Sequence, residues 1–265
     1  MAEESGNSTA GIQLHDRFAI MHIPKCAGTT LRKMLEARHG SAALVRLYSR
    51  KDQFSRPDKA LEEYTQDFVI GHVGADYLLG REHGRKVVTF MRNPVERVLS
   101  HYYYWRSIQE NSMGPKLAAC LSLKDFLCSD MVVVRRQISN LQAKMFIANI
   151  NMLSRHRMAC RSFDELFEKA MENASFFDFI GFTESFDKDL AHLNSKYNWG
   201  LSSEIDVLNK SPDRKNASEL DEETMDLVRG LTRLDRRLYQ HVKKQIYPYQ
   251  FVTGVSDGDT QFSGQ

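Results

Sequence analysis

The segment HIPKCAGTT carries side chains that suit an anion-binding loop. Lys25 adds a positive charge, Gly28 allows close backbone approach, and Thr29 and Thr30 add hydroxyl donors. The apolar run 18–21 before them is typical of a buried strand in a parallel sheet. Strand, tight loop and helix start in this order direct backbone N–H groups and the positive end of a helix dipole at an anion.

The position of Lys25 separates this loop from a Walker A loop. In GxxxxGK[ST] the lysine directly follows the second glycine, whereas Thr29 holds that position after Gly28 here. A helix-starting turn with a surface lysine is the other interpretation of this loop taken alone.

A second candidate anion site follows the β-branched apolar run 86–91, which predicts a strand ending at Arg92. Arginine offers a planar fork for a phosphate, and Ser100, two helical turns later, offers a hydroxyl. An ion pair of Arg92 with Glu96 or Glu184 is the alternative.

His72 directly follows another apolar run, 68–71. An imidazole with a pKa near ~6.5 is matched to proton transfer at neutral pH. Because ligands of parallel sheets bind beyond the carboxyl ends of the strands, we expect Lys25, His72 and Arg92 to converge on one site. A core histidine bonded to the backbone is the alternative for His72.

Short apolar strands alternate with amphipathic helices along the chain. This order predicts an α/β fold, in three P-loop-like layers, with a central mostly parallel sheet flanked by helices. Further strands are predicted at residues 42–48 and 176–182. Helix starts are predicted at Asn93-Pro94 and by the cap residues Ser122 and Ser162, and one long helix is predicted over residues 221–246.

Composition and net charge disfavour several classes of function. The chain has 265 residues and a net charge of +2, so nothing favours bulk binding to nucleic acid or to an anionic membrane. No apolar run approaches the ~20 residues of a membrane span. Four cysteines at irregular spacing form neither a disulfide framework nor a zinc pattern, so a cytoplasmic location is expected, a piece of a membrane-anchored protein being the alternative.

The domain prediction is simple. Residues 1–13 are expected to be disordered, residues 14–252 to form a single domain, and residues 253–265 to form a flexible tail.

Residues 24–30 and 92–100 together resemble the two nucleotide-binding motifs of sulfotransferases that use 3′-phosphoadenosine 5′-phosphosulfate (PAPS). PKCAGTT is similar to the 5′-phosphosulfate loop, and RNPVERVLS to the 3′-phosphate motif. The branch is the one with uronosyl 2-O-sulfotransferases of heparan and dermatan chains and small bacterial and algal sulfotransferases. The resemblance is strong over residues 18–105, weaker over 176–246 and absent over 106–160.

The resemblance implies that Lys25 contacts the bridging or leaving oxygen of PAPS, and that Arg92 and Ser100 hold the 3′-phosphate. The 5′-phosphate would be cradled within one loop, whose cofactor-binding residues are taken as Lys25, Cys26, Ala27, Gly28, Thr29 and Thr30, with Cys26 as a small spacer. A polar loop with Lys210, Ser211 and Arg214 is expected to close over the nucleotide, a solvated surface loop being the alternative.

His72 corresponds to the histidine that acts as general base in this branch, so Lys25 and His72 are the predicted catalytic residues. His22, which we expect to brace the loop, and Glu184 are the other candidates for the base. His101 is interpreted as a helix-surface residue or as a wall of the acceptor pocket.

The predicted activity is transfer of the sulfuryl group of PAPS to a hydroxyl of a small-molecule or carbohydrate acceptor, without a metal. Acceptor specificity is expected in the helical region 106–160. The Golgi members carry a membrane anchor and paired lumenal cysteines that this sequence lacks, and the oligomeric state stays open.

The alternative functions are a P-loop-type kinase or nucleotidase, and a non-catalytic module that binds PAPS or its product PAP. The missing Walker lysine disfavours the kinase, and Lys25 and His72 disfavour the module.

Overall fold

A five-stranded parallel sheet forms the centre of the part of the chain described by this computed structural model, residues 16–48, 57–79, 83–148, 161–202 and 215–251. The strands lie in the order β2-β3-β1-β4-β5, and every neighbouring pair is parallel. The predicted mostly parallel sheet is therefore confirmed. The strands are β1 Arg17–Met21, β2 Leu44–Leu47, β3 Phe68–Gly71, β4 Arg85–Met91 and β5 Phe179–Phe182.

Helices cover both faces of the sheet. They are α1 Gly28–His39, α2 Ala75–Leu78, α3 Pro94–Ser107, α4 Met113–Cys120, α5 Leu123–Cys128, α6 Val132–Ile138, α7 Leu141–Ile147, α8 Phe163–Ser175, α9 Phe186–Tyr197, α10 Glu222–Leu231 and α11 Arg233–His241.

Alternate residues of the strands enter two different cores. In β1, Phe18 and Ile20 pack with α1 and α9, whereas Ala19 and Met21 pack with α7, α8 and α11. A strand buried on both faces reads as a continuous apolar run, which is why β1 is recognisable in the sequence. A third cluster joins α3 to α4, α5, α6 and α10. The predicted three-layer α/β fold is confirmed.

Several helix starts follow from local sequence. The Asn93 side chain accepts hydrogen bonds from the N–H groups of Val95 and Glu96, and Pro94 occupies the first turn of α3. Ser162 and Glu165 form a reciprocal capping box at the start of α8. These contacts satisfy N–H groups that have no partner inside the helix.

The prediction of one long helix over residues 221–246 is wrong. The helix breaks at Thr232 between α10 and α11, and a π-helical turn, Val242–Ile246, follows α11. The Asn140 side chain caps α11 by accepting from the N–H groups of Leu234 and Asp235 at 2.8 and 3.2 Å. Because this cap comes from a residue more than 90 positions away, the local pattern does not reveal the break.

Two strand predictions are too long. A short 3₁₀ turn, Ser41–Ala43, precedes β2. Phe176 ends α8 with its side chain exposed, and β5 begins only at Phe179. The predicted terminal segments 1–13 and 253–265 lie outside the described residues. Within the described ranges, no helix has the length and apolar character needed to cross a membrane.

Candidate active site

The carboxyl edge of the sheet brings together the residues after β1, β3 and β4. β1 pairs with β3 on one side and β4 on the other, with Met21 opposite both Gly71 and Thr89. Lys25, His72 and Arg92 therefore emerge at one edge, as expected. The chain after β1 runs to β2 on one side of the sheet, whereas the chain after β3 crosses to β4 on the other side of β1. This reversal opens the crevice where such sheets bind ligands.

The loop between β1 and α1 has a strained backbone. Lys25 and Ala27 adopt left-handed conformations, with φ of 70° and 60°, although neither is glycine. The N–H group of Cys26 bonds to the carbonyl oxygen of Ile23 at 3.1 Å, which tightens the turn. Such strain costs about 1–3 kcal/mol per residue and is concentrated at functional sites. Backbone turned in this way forms concavities of N–H groups that bind anions.

Gly28 starts α1 against the ring of His22. A Cβ atom at Gly28 would lie 1.9 Å from Cδ2 of His22, so no larger residue fits without moving this ring. The Nδ1 atom of His22 is hydrogen-bonded to the Tyr48 hydroxyl at 2.7 Å. His22 thus braces the loop, and burial holds its pKa well below the usual value.

Cys26 faces the protein interior. Burial raises the pKa of its thiol to about 12, so the thiol stays protonated at neutral pH and is a poor nucleophile. Its Sγ atom lies 3.6 Å from Oε1 of Gln142. Lys25, Ala27 and Thr29 are the partly exposed residues of the loop, whereas Thr30 is buried.

Arg92 is held by a residue that the sequence analysis missed. The fully buried Gln142, on α7, accepts a hydrogen bond from the Arg92 N–H at 3.0 Å and donates one to the Arg92 carbonyl at 2.8 Å. The Arg92 guanidinium in turn donates to the carbonyl oxygen of Lys25 at 3.3 Å. The two candidate anion-binding segments are therefore linked directly. Gln142 is recognisable only in the folded structure, where α7 lies beside the residue that follows β4.

The two acidic residues suggested as ion-pair partners of Arg92 are engaged elsewhere. Glu184 accepts hydrogen bonds from the Asn93 N–H at 2.6 Å and the Tyr239 hydroxyl at 3.3 Å. Glu96 accepts one from the Ala217 N–H at 2.8 Å. Glu184 therefore serves the helix start of α3, and this weakens it as a candidate base.

Lys25 points towards α3. Its Nζ atom lies 3.7 Å from the centroid of the Tyr104 ring, a cation–π contact of about 0.5–2 kcal/mol. Ser100 is buried one helical turn earlier on α3. The aromatic run 102–105 is divided as its helical spacing requires, with Tyr102 and Trp105 buried and Tyr104 partly exposed beside the loop.

His72 lies in a cluster of three rings from three successive strand ends. Its ring centroid is 4.7 Å from that of His22 and 4.8 Å from that of Tyr48, which follows β2. Burial lowers the pKa of His72 to about 4. The expected His72 pKa near neutrality is therefore wrong. His72 is neutral at pH 7 and can accept a proton, although as a weaker base than a free imidazole.

His101 differs from one of its two interpretations. It is not a surface residue, because only 3% of it is exposed. Its ring packs edge-on against Trp105, with centroids 4.3 Å apart.

Three further site predictions, Lys210, Ser211 and Arg214, lie outside the described residues. In the described ranges, no three His, Cys, Asp or Glu side chains are grouped as metal ligands.

A family model described as the sulfotransferase family matches residues 10–252 of the chain. The chain belongs to the sulfotransferase family. A comparison with proteins of curated function gives no match. Family membership implies sulfuryl transfer from a sulfonate donor to a hydroxyl-bearing acceptor, and the branch with uronosyl 2-O-sulfotransferases is consistent with it.

The link through Gln142 gives a first prediction for this sulfotransferase. In Gln142→Leu the Arg92 N–H and carbonyl lose their partner, and each unsatisfied group costs roughly 1–3 kcal/mol. We expect a lower free energy of unfolding in urea and a weaker affinity for PAP by calorimetry.

Gln137→Leu is the matched control, since Gln137 is similarly buried on neighbouring α6 and its Oε1 has no partner among the described residues. Equal behaviour of the two variants would contradict the assigned role of Gln142.

Proposed function

We propose that this sulfotransferase uses PAPS as donor and a small-molecule or carbohydrate hydroxyl as acceptor. One observation supports this above the others: the Arg92 guanidinium donates a hydrogen bond to the backbone carbonyl of Lys25, so two cationic residues from the ends of β1 and β4 lie close together beside the start of α1. A donor with separate 5′- and 3′-anionic groups suits this pair of sites. Mononucleotides without a 3′-phosphate would use only one of them.

The residues after β1 are proposed to hold the 5′ side of the donor. The first N–H groups of α1, at Gly28, Thr29 and Thr30, have no acceptor within the helix and form the positive end of its dipole. Cys26 and Ala27 shape the turn that presents them. Lys25 supplies a full charge beside these groups, where negative charge would grow on the leaving oxygen.

The residues after β4 are proposed to hold the 3′-phosphate. Gln142 fixes the backbone of Arg92, and the guanidinium retains N–H donors beyond its contact with Lys25. Ser100 adds a hydroxyl from α3. Lys210, Ser211 and Arg214 stay proposed nucleotide contacts.

PAPS supplies a sulfuryl group on a phosphate leaving group, so the acceptor oxygen gains an S–O bond as the bond from sulfur to the phosphate oxygen breaks. His72 is proposed to take the acceptor proton and to release it to solvent. Its low pKa keeps it unprotonated at neutral pH, so it is ready to accept. His22 is less suited to this role, because Tyr48 and Gly28 enclose it.

Residues 14–252 are proposed to form one catalytic domain. The part of region 106–160 that the structure describes is helical in α4, α5, α6 and α7, and we keep it as the proposed source of acceptor specificity. The exposed thiols of Cys120 and Cys128 fit a reducing compartment such as the cytoplasm.

The donor is tested by thermal unfolding with PAP, AMP and ATP, the first two in EDTA and ATP with and without Mg²⁺. PAP should raise the melting temperature most; ligand at 100 times its dissociation constant stabilises by about 2.7 kcal/mol. Arg92→Ala should weaken PAP by roughly 10–100-fold, the value of a hydrogen bond to a charged group, but should leave adenosine 5′-phosphosulfate nearly unchanged.

Arg229→Ala, an exposed residue of α10, is the control for lost surface charge. Equal shifts with PAP and Mg²⁺-ATP would favour a kinase instead.

The base is tested by following sulfated products by mass spectrometry over a panel of hydroxyl acceptors. His72→Ala should lower kcat by about 10²–10⁴-fold and leave PAP affinity intact. With the His72 pKa near 4, its neutral form already predominates at pH 6, so kcat/KM should show no limb near pH 6.5 from this residue.

His241→Ala, on α11, should behave as the wild type. Near-normal kcat in His72→Ala would make His72 structural. PAP binding with no transfer to any acceptor would favour a binding module.

A further inference from the structure

One side of α3 faces the loop after β1. Residues 97, 101 and 104 are spaced by four and three positions, which places them on one side of the helix. Tyr104 lies under Lys25, and the charge of Arg97 acts on the thiol of Cys26. His101 lies between these two contacts, on the side of α3 towards the proposed donor site.

The ring of His101 is buried without polar contacts. Neither Nδ1 nor Nε2 has a hydrogen-bond partner among the residues that the structure describes. Leaving a buried polar group unsatisfied costs roughly 1–3 kcal/mol, and most native buried groups are satisfied. Packing alone does not require a histidine here, because the Trp105 ring would pack equally well against an apolar ring. The unsatisfied nitrogens therefore point to a ligand.

The charges around His101 indicate what kind of group the ligand carries. Burial above all, followed by the positive charges of Arg97 and Lys25 and by His72, holds the His101 pKa well below its usual value. The imidazole is therefore neutral, with one N–H donor and one acceptor nitrogen. Positive surroundings favour an anionic oxygen as the partner of that donor.

We propose that His101 contacts the substrate, by donating a hydrogen bond from its ring N–H to an oxygen of the sulfuryl group that Lys25 also attracts. This inference rests on the proposed use of PAPS. It adds a donor contact from a residue that belongs neither to the loop after β1 nor to the residues proposed to hold the 3′-phosphate. The acceptor hydroxyl is the other group that His101 could contact, and the two contacts have different consequences for binding.

PAP lacks the sulfuryl group, so comparing PAP with PAPS isolates the contact. Titrations in the cold, without acceptor, measure both dissociation constants by calorimetry. His101→Phe should weaken PAPS by roughly tenfold or more, as expected for a lost hydrogen bond to a charged oxygen, and leave PAP unchanged. His101→Gln keeps a side-chain N–H donor and should recover part of the PAPS affinity.

The melting temperature of the variant distinguishes a role of His101 in binding from a role in stabilising the fold. Replacing the unsatisfied nitrogens by carbon should maintain or raise the melting temperature of His101→Phe. His101→Leu, with a smaller side chain, repeats the binding test if phenylalanine overpacks the site. His241→Phe is the control, since His241 packs against Phe167 on α11.

Equal weakening of PAP and PAPS, or unchanged affinity for both, would overturn the proposal. A raised acceptor KM with unchanged PAPS affinity would overturn it too, and would assign His101 to the acceptor. Wild-type protein that binds neither nucleotide would reject the proposed donor itself, and the assignment of His101 with it.

Discussion

The candidate site depends on the hydrogen bonds between Gln142 and Arg92. A single buried amide satisfies both backbone groups of the residue at the end of β4 and lies beside Cys26 of the loop after β1. Arg92 then donates to the Lys25 carbonyl. Three segments from different layers of the fold are thereby fixed relative to one another. Because a buried amide without partners is costly, this arrangement has few alternatives of similar energy.

Features that lower the stability of the fold are concentrated at this edge of the sheet. Lys25 and Ala27 carry left-handed backbones, Gly28 leaves no room beside His22, and both nitrogens of His101 lack partners in the described structure. Each feature opposes stability, and the two cores on the faces of the sheet offset them. Polar groups that bind a substrate cannot all be hydrogen-bonded within the protein itself, so a binding site is expected to lower the free energy of unfolding.

Much of the fold could be predicted from the sequence because its signals are local. The runs that became β1, β3 and β4 are apolar on both faces, and Asn93, Ser122 and Ser162 cap helices as their types predict. Because residues that follow parallel strands lie at one edge of the sheet, the positions of Lys25, His72 and Arg92 could also be predicted. What the sequence did not reveal depends on distant partners. Asn140 breaks the C-terminal helix, Gln142 holds Arg92, and burial shifts the pKa of His72, none of which leaves a periodic signal.

A crystal structure of the protein with PAP tests the central claim most directly, namely that the edge of the sheet between β1 and β4 holds one nucleotide through two separate anion sites. The account predicts the 5′-phosphate on the N–H groups of Gly28, Thr29 and Thr30, and the 3′-phosphate on Arg92 and Ser100, with Gln142 still bonded to the Arg92 backbone. A nucleotide bound elsewhere, or bound here with its 3′-phosphate away from Arg92, would contradict it.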